Sequence, residues 1–202
     1  MNIKKVTAIA VVAALSFSAC STDEEPETKD DAEETTDTAD SEVTEETKSA
    51  EANIAGLGEN EEVAGTATFT QDEDGKVTMN VAMTGLSEGD HGFHLHTNPS
   101  CEDAEDGTVG GGAGGHWNPN EKAHGEPNAE ESHAGDTGNI TAAADGTATL
   151  EVSLDAWTLG DGVEESDVIG HSIITHADAD DFTGDSGNAG ARIACGVIEL
   201  AN

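Results

Sequence analysis

Between Thr97 and about Gly138 the chain shows no sustained apolar periodicity, yet strict alternation stands on both sides of that stretch. A structureless segment of this length is uncommon in a compact domain unless it is functional or disordered. Before it, Val77, Met79, Val81 and Met83 alternate with Thr78, Asn80, Ala82 and Thr84, the period-two signature of a half-buried strand. Val63, Ala67 and Phe69 precede them and Asp74-Gly75 lies between the runs, so the pair is predicted to form a β-hairpin. After it, Ile140 leads into Asp145-Gly146, and Ala148, Leu150, Val152 and Leu154 alternate with Thr147, Thr149, Glu151 and Ser153, which predicts a second hairpin. Two more apolar runs follow, Val168 to His176 and Arg192 to Leu200, and no amphipathic helix pattern is evident. The pattern predicts an all-β, antiparallel sandwich or barrel. The intervening stretch holds Gly110-Gly111-Gly112, Gly114-Gly115 and prolines 99, 119 and 127, so something other than apolar burial must order it.

Charge narrows the partners. The 202 residues carry 43 acids against 7 Lys plus Arg, a formal charge of -36. Nucleic-acid binding is excluded as a class, because phosphate recognition needs clustered cations. From residue 53 onward the only basic residues are Lys76, Lys122 and Arg192. This balance is that of proteins adapted to high salt, where self-repulsion is screened; simple solubility is the plainer reading.

The first quarter of the chain reads as an address and a tether. Lys4 and Lys5 precede an apolar run from Val6 to Leu15, too short for a permanent membrane span, and small residues follow up to Cys20. Phe17-Ser18-Ala19-Cys20 resembles a bacterial lipobox, with Phe where Leu is usual. The expectation is a signal peptide over 1–19 and acylation of Cys20, an ordinary cleaved signal being the alternative. Ser21, with no Asp after the Cys, favours the outer membrane of the bacterial envelope, on its periplasmic or surface face. Residues 20–52 are almost devoid of large apolar side chains and are expected to form a disordered, self-repelling tether, with a single solvated helix as the alternative. The folded domain is then expected over 53–202.

All eight histidines fall between residues 91 and 176. His94 and His96 flank Leu95, and in a strand positions i and i+2 share a face. Phe93 and Leu95 would then meet the core while both imidazoles face outward together, able to converge on one metal; surface pairs of this kind are also common without one. The long stretch adds His116, His124, His133 and Asp136, three imidazoles and a carboxylate that suffice for a closed tetrahedral zinc site. Metal bonds would supply the order that apolar burial does not. His176, with His94, His96 and one loop histidine, would make a four-nitrogen set suited to copper(II). Spacing alone does not say which ligands are shared.

Six segments in order, HGFHLHTNPSCE, GGHWNPN, AHG, SHAGDTGNI, THADADDF and GNAGARIACGVI, resemble the copper/zinc superoxide dismutase family over roughly residues 60 to 200. Asn98-Pro99-Ser100-Cys101 resembles its bacterial branch. The resemblance implies a Greek-key antiparallel β-sandwich or barrel of about eight strands with long metal-binding loops. It implies one copper per subunit on His94, His96, His116 and His176, and one zinc on His116, His124, His133 and Asp136, with His116 bridging as an imidazolate. Asp180 matches the carboxylate that hydrogen-bonds ligand histidines of both metals, and Arg192 the arginine that attracts and orients superoxide. Cys101 and Cys195 match the family disulfide, in keeping with the two cysteines an exported domain retains once Cys20 is acylated. His91 falls on a structural histidine, and His171 and Trp117 are expected to pack rather than bind metal.

The implied activity is dismutation of superoxide to dioxygen and hydrogen peroxide, with His116 and Arg192 in catalytic roles. The rival from another class is a non-catalytic copper- and zinc-binding surface lipoprotein. Superoxide is the expected partner, the membrane is touched only through the N-terminal lipid, and the domain is expected as a monomer or homodimer. The chain departs from the family in the loop before the arginine: Ala177 to Gly190 carries no Lys or Arg to steer an anion.

Overall fold

The computed structural model describes residues 48–201. The expected signal segment, Cys20 and the tether as far as residue 47 lie outside the described residues. Nine strands follow in order: β1 (Ser49–Gly56), β2 (Ala64–Gln71), β3 (Val77–Thr84), β4 (Gly89–His96), β5 (Asp136–Ala142), β6 (Ala148–Val152), β7 (Ser172–His176), β8 (Arg192–Val197) and the two-residue β9 (Glu199–Leu200). The only helical element among the described residues is a single 3-10 turn, Gly111–Ala113.

Pairing runs β2-β3-β6-β5-β4-β7-β8-β1-β9, and β1 also pairs with β2, so eight antiparallel strands close on themselves and β9 is appended. The crossing from β3 to β4, with β6 returning beside β3, gives the Greek-key order. Closure removes the open edges that an antiparallel sheet would otherwise expose. Both expected hairpins form: β2 with β3 in full register from Ala64↔Thr84 to Gln71↔Val77, and β5 with β6 at Ala142↔Ala148. The alternation in β3 is a true inside–outside pattern, with Val77, Met79, Val81 and Met83 all buried. They join Phe69, Phe93, Leu95, Ile140 and Ile173 in the main core.

The domain starts earlier than residue 53. β1 opens at Ser49, so Ser49 to Ala52 belong to the barrel and not to the tether. Ala50, Ala52 and Ile54 point inward and Glu51, Asn53 and Ala55 outward. The alternation is real but is carried by alanines next to an acid-rich run, which hides it from a reading based on large apolar residues. The apolar run after Val168 is also shorter as a strand than its composition suggests, since β7 covers only Ser172–His176 and Val168 is buried in the preceding loop.

The long connection between β4 and β5 lies on the outer face of β4, β7 and β8. A small second cluster of Ala113, Ile174 and Cys195, with Leu57 and Cys101 against it, forms beneath this loop. The Cys101–Cys195 disulfide, with Cα atoms 5.7 Å apart, fastens the loop to β8. It closes 94 residues, worth at most about 4–5 kcal/mol in the chain-entropy account. Backbone hydrogen bonds continue the attachment: Thr97 N–H to Gly115 O (3.0 Å), Asn98 N–H to Ala113 O (2.9 Å) and Trp117 N–H to Leu95 O (2.9 Å).

Candidate metal centre

The loop's attachment is what delivers histidines. Trp117 N–H to Leu95 O continues β4 sideways as an isolated bridge between His96 and His116, which sets the His116 ring beside those of His94 and His96, centroids 4.1 and 5.1 Å away. β7 pairs with β4 on its other side, so His176 joins the same group. His94 and His96 do share the outward face of β4, yet they are 0 % and 1 % exposed, because the loop covers that face. The expectation of outward imidazoles holds for the barrel and not for solvent.

Two groups of ligand atoms result, each with its members within 4.8 Å of one another: His94, His96, His116 and His176 in one, His116, His124, His133 and Asp136 in the other. His116 is common to both. Its Nδ1 faces the second group, 2.9 Å from Asp136 Oδ1, and its Nε2 is buried without a hydrogen-bond partner.

Hydrogen bonds fix which nitrogen of each ring is free. His94 Nε2–H donates to Asp180 Oδ2 (2.8 Å), His96 Nδ1–H to Gly114 O (2.9 Å) and His176 Nδ1–H to Gly190 O (3.3 Å). The opposite nitrogens, His94 Nδ1, His96 Nε2 and His176 Nε2, are buried with no partner, as is His116 Nε2. A buried unpaired polar atom costs about 1–3 kcal/mol. Four lone pairs left bare in one group are explained by a cation that accepts them all, and a four-nitrogen set suits copper(II).

The second group also calls for a cation. His124 Nε2–H donates to Asp180 Oδ1 (3.0 Å), and when the ring is neutral its Nδ1 lone pair lies 3.0 Å from Asp136 Oδ1. Two acceptors face each other unless a cation lies between. His133 Nδ1 stands 3.1 Å from the same oxygen and 3.4 Å from His116 Nδ1. A tetrahedron with metal–nitrogen bonds of about 2.0–2.1 Å has edges of about 3.3 Å, so these separations fit zinc. The other Asp136 oxygen is occupied by the backbone N–H groups of Gly125 (3.1 Å) and His133 (2.8 Å), which turns Oδ1 toward the centre.

Proton affinities follow this geometry. Burial pushes His176 down to about 3 and His116 down to about 4, and adjacent imidazoles push in the same direction. Burial and the neighbouring His116 hold His96 well below the usual range. Burial would raise Asp136 and Asp180, but hydrogen bonds from His116 and His133 to the first, and from His94 and His124 to the second, hold both well below the usual carboxylate range. Burial would lower His124, yet the carboxylates of Asp180 and Asp136 raise it, the mark of a site that asks for positive charge.

Asp180 thus ties one ring from each group. Its own backbone is gripped by Asn139, whose Nδ2–H donates to Asp180 O (2.9 Å) while Asp180 N–H donates to Asn139 Oδ1 (2.7 Å). Asn139 lies within the SHAGDTGNI segment, but nothing in the spacing marks its role. Gly187 lies against the same carboxylate at φ +68°, where a Cβ would collide with Asp180 and come 2.8 Å from His124 Nε2. Gly187→Ala is therefore expected to weaken both metals, by about 10- to 100-fold. Competition with a chelator of known affinity measures this, and unaltered retention of both metals would refute the role given to Asp180.

Arg192 stands on β8 directly across from His176. Its two terminal nitrogens donate to Gly110 O and Gly114 O, both at 2.6 Å, and its charge contributes to the depressed affinities of His96 and His176. The remaining expected residues fall away from the metal groups. His91 is buried, with Nδ1 2.8 Å from His176 O and Nε2 3.0 Å from Ser87 O and 3.2 Å from the Ser87 hydroxyl. His171 stacks on Trp117, centroids 4.2 Å apart, and donates to Thr97 O (2.9 Å).

A closed Greek-key barrel whose loops set two ligand groups around one shared imidazole defines a metalloprotein with a two-metal centre. The chain belongs to the copper/zinc superoxide dismutase family: residues 63–198 match the family described as copper/zinc superoxide dismutase (SODC). Among solved structures it is similar to one described as "Crystal Structure Analysis of the clock protein EA4", with a TM-score of 0.64 and 33% sequence identity, over 77% of this chain and 96% of that one. Copper and zinc are the metals of this family, and both histidine groups are suited to them.

Proposed function

We propose that this protein dismutes superoxide to dioxygen and hydrogen peroxide. The observation that carries the reading is the set of four bare nitrogens of His94, His96, His116 and His176, lying beside Arg192 and joined through His116 to a zinc-type group. His94, His96, His116 and His176 would hold copper; His116, His124, His133 and Asp136 would hold zinc. Copper would supply one-electron exchange with the substrate when bound, and zinc would help to order the residues that hold it.

The chain's residues do the rest. Arg192 places a fixed positive charge where an anion must sit, its terminal nitrogens anchored on two loop carbonyls so that the guanidinium is pre-positioned. His116 Nε2, one of these bare nitrogens, could take up a proton when it is not holding copper and hand it to departing product. Asp180 keeps His94 and His124 in the tautomers that leave their ligand nitrogens bare. We further propose that the protein is exported and lipid-anchored at Cys20 in the bacterial envelope, supported by the Phe17-Ser18-Ala19-Cys20 segment and by a disulfide suited to an oxidising compartment.

The test is stopped-flow dismutation by protein loaded with both metals, across a salt series. With a formal charge of -36 and no Lys or Arg from Ala177 to Gly190, the long-range field opposes an anionic substrate. The second-order rate is expected to rise, or at least hold, as salt screens that field. No dismutation by the loaded protein would overturn the enzymatic reading; a steep monotonic fall with salt would show that local positive charge governs access.

A further inference from the structure

The zinc-type group opens to solvent through a cleft of about 320 Å³. His116, His124 and His133 form its floor, and Asn118, Lys122 and Asp185 are among its walls. The two walls come from different connections, the β4–β5 loop on one side and the β7–β8 loop on the other. A smaller cleft of about 180 Å³ adjoins, and it too is bounded by Lys122 and His133. Lys122 therefore borders both openings beside the metal ligands. It is one of only three basic residues from residue 53 onward in a chain with 43 acids. Its backbone is held at the cleft, because Asn118 Nδ2–H donates to Lys122 O (2.9 Å) and Lys122 N–H donates to Asn118 Oδ1 (3.0 Å), while the side chain is exposed. Arg192, the cation beside the other ligand group, is not part of this cleft.

We propose that this cleft is the route by which zinc reaches and leaves its ligands, and that Lys122 acts as its charge gate. The inference rests on the zinc assignment proposed above. The acidic surface draws divalent cations toward the protein as a whole, and the lysine opposes them at this one mouth. The same charge favours an anion, so carboxylate-bearing zinc carriers or chelators have the easier approach. Asp185 on the facing wall acts in the opposite sense.

The gate is tested with the full chain through the charge of the species that passes. Zinc uptake by the metal-free protein, followed with a zinc-responsive dye at low ionic strength, is expected to be about 3- to 10-fold faster in Lys122→Glu. Zinc release to EDTA, an anion, is expected to slow by a similar factor, while release to neutral 1,10-phenanthroline changes less than about twofold; both differences shrink as salt rises. Lys122→Gln should lie between, and Asp185→Lys should shift uptake the other way. Equal shifts with both chelators would mean that the substitution merely loosens the ligands, and no shift with either would mean that zinc travels elsewhere; each result overturns the gate. Asp136→Ala in the same assay separates the premise: zinc held as firmly as in the parent would refute the ligand assignment, whereas lost zinc with no charge response at Lys122 refutes only the gate.

Discussion

Dismutation by His176→Ala is expected to fall to the level of the metal-free protein, with zinc still retained and copper lost. His176 contributes one of four bare nitrogens to the copper-type group and none to the zinc-type group, so the two metal contents should separate. Arg192→Ala is expected to behave differently. Copper and zinc stay bound, because the arginine supplies no ligand atom, but the second-order rate falls on the order of 10²-fold with the loss of an oriented cation. The contrast is the informative part, and metal analysis beside stopped-flow kinetics reads it directly. Unchanged dismutation in both variants would sink the enzymatic assignment and leave a protein that binds metal without turning over.

Much of this was legible in the residues and some was not, for definable reasons. The alternation of Val77 to Met83 reports a face, and the face is where it should be. His94 and His96 share a side of β4 as period two requires, but period two is blind to what covers that side; only the fastening of the loop through Cys101 and Trp117 shows that both rings are sealed from water. β1 went unseen because alanines carry its inward positions. Asn139 and the carbonyls of Gly110 and Gly114 act through backbone atoms or through another residue's backbone, and the chemistry of a backbone carbonyl leaves no trace in side-chain identity.

Removal of both metals should have the second large effect. Between Asn118 and His133 the β4–β5 loop contributes no side chain to either apolar cluster, so its order near His124 and His133 is expected to depend on the ions. Hydrogen exchange in the metal-free protein should show residues 118–135 losing protection while β2 and β3 keep theirs, together with a lower melting temperature. The loss should deepen in acid. The folded-state affinities of His116 and His176 lie at about 4 and about 3 against an ordinary 6.5, so the unfolded chain takes up these protons first and stability falls as pH drops below about 6.5. Asp136 and Asp180, held low in the fold, add to the loss once pH passes below about 4. His124, raised in the fold, contributes in the opposite sense, with stability present below about 6.5 and lost as pH rises through its folded value. A metal-free melting temperature that is flat from pH 7 to about pH 4 would show that these histidines are not the buried neutral bases described.

Gly114 O accepts from two donors at once, His96 Nδ1 and an Arg192 terminal nitrogen. A single oxygen held by both makes a hinge pin between the proposed copper ligand and the cation proposed to meet the substrate. The loop that carries it is stapled by sulfur to Cys195, on the same strand as Arg192. The spacing between the His96 ring and the Arg192 guanidinium is therefore tied to one peptide group of the loop, whatever the side chains on the acidic surface around it.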